Sequence, residues 1–131
     1  MFLDASAICA VLLEDADAAV FAEKIEQAES LRTSPVAVFE AVLALAKALG
    51  GDIRLAQAKV DAFLRLAGAE TIAIGGAELA GALDAFERYG KGRHPARLNM
   101  GDCFAYACAR THGVSLLFKG DDFSRTDISV A

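Results

Sequence analysis

With 131 residues, 55% of them hydrophobic and only two of them proline, the chain has the length of one domain and enough apolar side chain to bury a core, which excludes a disordered tract. No stretch approaches the roughly 18 uninterrupted apolar residues of a membrane span, and Asp4 interrupts an opening run that lacks a basic flank, so a cytoplasmic protein with no membrane role is expected. The net charge of −5 counts against a uniformly basic nucleic-acid binder, but the charge is unevenly spread: Glu14, Asp15, Asp17, Glu23, Glu26 and Glu29 face Lys24 alone, whereas Arg88, Lys91, Arg93 and Arg97, with His94 among them, form one dense basic stretch.

In chain order, residues 1–4 read as a short buried strand ending at Asp4, followed by an apolar helix from Ala5 to Leu13 and a more polar one from Asp15 to Ala28. Leu31 to Thr33 is a brief strand. Ser34-Pro35 then sets a hydroxyl N-cap before a proline at the first helical position, and the helix runs to about Leu49 before Gly50-Gly51. Asp52 to Leu66 is the next helix, ended by Gly68. Thr71 to Ile74 reads as a strand, Ala77 to Tyr89 as a helix, and Gly90 to Arg97 as a loop. Asn99 opens a helix to Thr111, capped by Gly113; Ser115 to Phe118 is a strand, Gly120-Asp121-Asp122 a turn, and Ile128 to Val130 a last short strand. Apolar strands alternating with helices predict a short parallel sheet covered on both faces, a three-layer α/β/α sandwich in a single domain over 1–131. Cys9, Cys103 and Cys108 are odd in number without CxxC spacing, which predicts free thiols rather than disulfides or zinc ligands.

Four acids stand out. In open α/β sheets ligands bind beyond the carboxyl ends of the strands. Asp4 ends the first strand, Asp121 follows the last long one, and Asp102 lies in the first turn of the helix opened by Asn99. Each has an ordinary alternative: a helix cap for Asp4, dipole compensation for Asp102, a turn for Asp121. Glu40 is harder to dismiss. Its helical neighbours Val36, Ala37, Leu43 and Ala44 are all apolar, so it projects from a stripe expected to face the interior. Two carboxylates about 5 Å apart repel by roughly 3 kcal/mol at an effective dielectric of 20. A cluster of four therefore needs protons or cations, and oxygen-only ligands suit Mg²⁺ or Mn²⁺. Without a Walker loop, such a site points to phosphodiester hydrolysis, the metal generating hydroxide and stabilising the leaving oxygen. Phosphotransfer with Asp4 as nucleophile is the competing enzymatic reading, weakened because Ser6 stands where a second Asp would be needed. A catalytically idle binding module is the other.

The motifs Met1-Phe2-Leu3-Asp4-Ala5-Ser6-Ala7, Ser34-Pro35-Val36-Ala37-Val38-Phe39-Glu40, Leu98-Asn99-Met100-Gly101-Asp102-Cys103-Phe104-Ala105-Tyr106-Ala107 and Leu116-Leu117-Phe118-Lys119-Gly120-Asp121-Asp122-Phe123 come in an order and at a spacing that resemble PIN-domain proteins of the VapC type, the toxin half of bacterial toxin–antitoxin pairs. The resemblance covers nearly the whole chain. It implies an endoribonuclease using Mg²⁺ or Mn²⁺, a homodimer, and a cognate antitoxin. It implies Asp4, Glu40, Asp102 and Asp121 as the catalytic acids, with Asp4, Asp102 and Asp121 on the metal, Glu40 completing the site, and Ser6, Asn99 and Asp122 in support. Asp122 is an open alternative to Asp121, the acid nearer the strand end. Arg88, Lys91, Arg93 and Arg97 are the residues expected to track RNA phosphates, since they directly precede the Asp102 helix.

Overall fold

The computed structural model describes residues 1–131. Its elements are β1 (Phe2–Leu3), α1 (Ala5–Leu12), α2 (Ala18–Glu26), β2 (Leu31–Thr33), α3 (Pro35–Ala48), α4 (Ile53–Ala67), β3 (Ala69–Thr71), α5 (Gly76–Tyr89), α6 (Met100–Thr111) and β4 (Leu116–Leu117), with a 3₁₀ turn at Phe123–Arg125. Side-chain caps set four of the helix starts. Asp4, Ser34, Asp52 and Asn99 each accept a backbone N–H from the first turn that follows, satisfying donors that have no partner inside a helix. Gly68 ends α4 in the left-handed conformation, with φ at 67°, which a residue without Cβ adopts at little cost.

The four strands form one parallel sheet in the order β3-β2-β1-β4. Side chains alternate across it. Leu3 and Leu117, paired in register, enter the core beneath α1, α2, α3 and α4, whereas Phe2 and Leu116 enter the core beneath α5 and α6. Phe2, Leu3 and Leu116 are fully buried, each stabilising the fold by roughly 1.5–3 kcal/mol relative to exposure. The three layers anticipated from the alternation of strands and helices are therefore present. No helix is long and apolar enough to cross a membrane. The three cysteines are free thiols, Cys103 and Cys108 buried and Cys9 partly so.

Three boundaries differ from the sequence reading. The third strand is Ala69–Thr71, not Thr71–Ile74, because β2 pairs its Leu31, Arg32 and Thr33 with Ala69, Glu70 and Thr71. Ile72, just past the strand, is buried in the core beneath α5 and α6 and still donates its N–H to the Thr33 carbonyl at 2.9 Å. The second helix begins at Ala18, because Asp15 accepts the Asp17 N–H and holds the preceding residues in a turn. The segment Ile128 to Val130 contributes only a single parallel bridge, Leu116 to Val130.

That last segment is tied down instead by a charged knot. The Asp127 carboxylate accepts from Tyr106 Oη, from Arg88 at 2.9 Å and from Arg110 at 3.0 Å, so one acid clasps α5 and α6 to the C-terminal tail. Those hydrogen bonds, led by Tyr106, hold its carboxyl well below the usual carboxylate range. Asp127→Ala would leave two guanidinium groups facing each other without their shared counter-ion. We expect a loss of about 1–2 kcal/mol, toward the lower end because the pair is part exposed. A depressed carboxyl stabilises the fold above its unfolded pKa and loses that contribution as pH falls through the folded one. The gap between wild type and variant in thermal melts should therefore shrink below pH 4. A gap that persists unchanged at pH 2 would show that the knot is not electrostatic.

Candidate active site

All four strands point their carboxyl ends to one edge, and the turns leaving that edge carry the acids. Asp4 follows β1 directly and is buried. Its Oδ2 accepts the Ser6 N–H at 2.9 Å and the Ser6 hydroxyl. The same hydroxyl accepts the Lys119 N–H at 2.9 Å, so Ser6 joins the start of α1 to the turn after β4. Beneath that turn, buried Phe123 packs edge-on against Phe118 with ring centroids 4.9 Å apart. Lys119 Nζ reaches outward to Asp15 at 2.6 Å and Asp17 at 3.7 Å, fastening the turn to the α1–α2 connection.

Asp102 sits at the third position of α6 in a reciprocal cap with Asn99. The Asn99 N–H donates to Asp102 Oδ2 at 2.8 Å, and the Asp102 N–H donates to Asn99 Oδ1 at 3.0 Å. Asn99 thus holds the Asp102 carboxylate in place. Glu40 arrives from the second turn of α3, and its carboxylate lies directly against the Cα of Gly101. Along α3 itself, Ala37 one turn earlier is buried, whereas Leu43 and Ala44 one turn on are exposed.

These acids feel one another. Burial first, then the charges of Asp4 and Asp102, push Glu40 up to about 6. Burial also pushes Asp102 up to about 6, reinforced by Asp4 and Asp122 and opposed by the Asn99 N–H. Asp4 is raised by burial against the hydrogen bonds from Ser6 and Ala5. No ion pair joins Asp4, Glu40, Asp102 or Asp122 to a basic side chain. Uncompensated acidic charge of this kind is what a bound cation would neutralise. The donors are all carboxylate oxygens, the set preferred by hard divalent ions. Capping occupies one oxygen of Asp4 and one of Asp102, which leaves each a second to offer. The chemistry fits a divalent ion, although no three acid, His or Cys side chains are drawn into a closed ligand set.

Of the four acids singled out in the sequence, Asp4, Glu40 and Asp102 lie near enough for their charges to act on one another. Asp121 is not among them: the charge that reaches Asp4 and Asp102 is that of Asp122. The chain reverses at Gly120, with φ at 109°, and the backbone carbonyl of Asp121 accepts from the Ser124 hydroxyl. Arg88 departs too. It leaves the basic set for the Asp127 knot, because it lies on α5 and not in the loop. Lys91, Arg93 and Arg97 are exposed on a closed loop whose ends are joined by the Gly90–Leu98 bridge. Two residues went unnoticed in the sequence. Lys119 gave no signal without knowledge of Asp15 and Asp17, and Gly101 resembled any small residue in a first helical turn.

The geometry agrees with relationships to known proteins. Residues 1–129 match the family model described as the PIN domain. A VapC ribonuclease of Rhizobium meliloti is 41% identical, covering 97% of this chain and 98% of that one. Ribonuclease VapC30 of Mycobacterium tuberculosis is 36% identical over 98% of this chain and 96% of its own. Among solved structures, VapC20 of Mycobacterium tuberculosis, described as a toxin cleaving the sarcin–ricin loop, superposes with a TM-score of 0.79 at 16% identity, covering 99% of this chain and 97% of that chain. A toxin–antitoxin complex from Klebsiella pneumoniae gives a TM-score of 0.70 at 17% identity, covering 99% and 95%.

Proposed function

The chain belongs to the PIN-domain family, alongside its VapC ribonucleases, and from that premise we propose that it is a metal-dependent endoribonuclease acting as the toxin of a toxin–antitoxin pair. One observation carries the reading beyond kinship. Asp4, Glu40 and Asp102 converge at the carboxyl edge of the sheet, unpaired, with Glu40 and Asp102 each pushed up to about 6.

Asp4, Asp102 and Asp122 would hold Mg²⁺ or Mn²⁺, with Glu40 completing the set. When bound, the ion supplies Lewis acidity toward the phosphate oxygens and activates water. The chain's own groups do the positioning. Ser6 orients Asp4, Asn99 orients Asp102, and Phe123 anchors the Asp122 turn. Each cleavage consumes one water: its oxygen bonds to phosphorus, the P–O bond to the next nucleotide breaks, and a proton goes to the leaving oxygen. The purified chain should cleave RNA and leave a small phosphomonoester intact. Phosphomonoesterase activity without RNA cleavage would favour Asp4 as a phosphotransfer nucleophile, and RNA binding without cleavage would reduce the chain to a binding module.

We assign RNA backbone contact to Lys91, Arg93 and Arg97. Three neutralised phosphates give a log–log salt slope of about −2 on a single strand. Replacing Arg93 and Arg97 by Ala should flatten it by about 1.4, with metal affinity intact. An unchanged slope would remove the loop from the RNA path.

Control by a partner follows from the same reading. Leu13, Val20, Phe39, Leu43, Ile53 and Leu66 remain exposed and offer apolar contact for an antitoxin helix or a second copy of the chain. Phe21, Ile25 and Leu45 belong to the core instead. An arginine from the antitoxin would fit between Asp4 and Asp102 as a charge-assisted fork. Co-purification with the product of the neighbouring small reading frame, with loss of cleavage on binding, is the expected result. A product that neither binds nor protects RNA would end the toxin assignment but leave the nuclease assignment standing.

A further inference from the structure

Gly101 sits at the second position of α6, between Met100 and Asp102. A helix interior does not ask for glycine, which is less favourable there than alanine by up to about 1 kcal/mol. Its φ is not in the left-handed region either. What distinguishes the position is its neighbour. A Cβ built on Gly101 would overlap both carboxylate oxygens and the Cδ of Glu40. Every other atom near that Cβ lies farther away than these three. The bare Cα of Gly101 is thus the floor on which the Glu40 carboxylate rests.

We propose that Gly101 is a positioning residue. Its missing side chain lets Glu40 cross from α3 to α6 and present its carboxylate beside Asp4 and Asp102. The inference rests on Glu40 belonging to the site proposed above. The atoms that a Cβ would strike are the far end of a flexible side chain, so the backbone of α6 need not move. Gly101→Ala should therefore fold, with Glu40 displaced. Misplacement of a reacting-site group by about 1 Å costs on the order of 100-fold in rate, and Glu40 would be moved by at least that much.

Two measurements test this. The first needs neither metal nor RNA. Thermal melts of wild type, Gly101→Ala, Glu40→Ala and the double variant form a cycle. In the Glu40→Ala background the glycine replacement should raise Tm by about 2 °C, the helix preference now unopposed; in the wild-type background the rise should be absent. Equal rises in both backgrounds would overturn the contact, and so would a Gly101→Ala chain that stays unfolded even when Glu40 is Ala. The second measurement is Mn²⁺ affinity by calorimetry together with kcat on RNA. Gly101→Ala should weaken Mn²⁺ binding and lower kcat about 100-fold. Adding Glu40→Asp, one methylene shorter, should recover at least tenfold in kcat over Gly101→Ala alone. A wild type that cleaves RNA and binds Mn²⁺ no better than Gly101→Ala overturns the positioning role alone, and so does a double variant no faster than Gly101→Ala. A wild type that neither cleaves nor binds Mn²⁺ removes the nuclease reading, while the thermal cycle still decides whether Gly101 seats Glu40.

Discussion

Asp102→Asn is expected to abolish cleavage while leaving the fold intact or more stable. The amide keeps the size of the side chain and its acceptor oxygen, so it can still take the Asn99 N–H that Asp102 now accepts at 2.8 Å. What disappears is a charge that burial and two neighbouring acids oppose. Without metal, removing it relieves repulsion on Glu40, which Asp102 helps push up to about 6. The same charge is what the cation needs. Losing one electrostatic group that acts on a developing charge costs about 10²–10³-fold in rate, and losing a ligand acts on affinity as well. Asp4→Asn should behave alike, since Asn is as good an N-cap as Asp. Melting temperatures equal to or above wild type at pH 8, combined with a rate loss near 10³-fold, would identify these acids as functional. A variant that cleaves at the wild-type rate would contradict their assignment.

Stability of the metal-free protein should fall between pH 5 and pH 8. Glu40 and Asp102, both held up to about 6, have folded pKa values above their unfolded ones. The folded state then binds more protons than the unfolded state across the window from about pH 4 to pH 6, and stability declines as pH rises through it. Above that window the full penalty is present. One unit of displacement corresponds to about 1.4 kcal/mol, and partial exposure reduces the total for the two groups to about 1–2 kcal/mol. Mg²⁺ or Mn²⁺ should reverse the trend, binding more tightly and stabilising more at pH 8 than at pH 5 because it competes with those protons. Asp102→Asn should remove a large part of the slope. Melts that are flat with pH, with or without metal, would show that the acids do not form one electrostatic unit.

How far the sequence reveals this site depends on how local each signal is. Asp4, Ser34 and Asn99 announce themselves through cap chemistry within three or four residues; Asp4 is itself one of the acids, and the helices opened by Ser34 and Asn99 carry Glu40 and Asp102. The sheet was legible because apolar strands alternate with helices, and Phe2 and Leu3 enter opposite cores as that alternation requires. Glu40 was found by an argument only half correct. Ala37 on its helix is buried, yet Leu43 and Ala44 are not, and what covers the carboxylate is Gly101, some 60 residues away in the chain. No periodicity encodes that contact. The choice between Asp121 and Asp122 is not local either: two adjacent carboxylates follow the reversal at Gly120, and the one whose charge reaches Asp4 is Asp122. Arg88 was grouped with its neighbours in sequence, while its partner Asp127 lies 39 positions on.

The most direct test of the central claim is RNA cleavage by protein stripped of metal with EDTA and then supplied with Mg²⁺ or Mn²⁺. The carboxylate cluster predicts no cleavage by the stripped protein, recovery on adding either ion, and no recovery for Asp102→Asn. Cleavage at the wild-type rate in excess EDTA would contradict it.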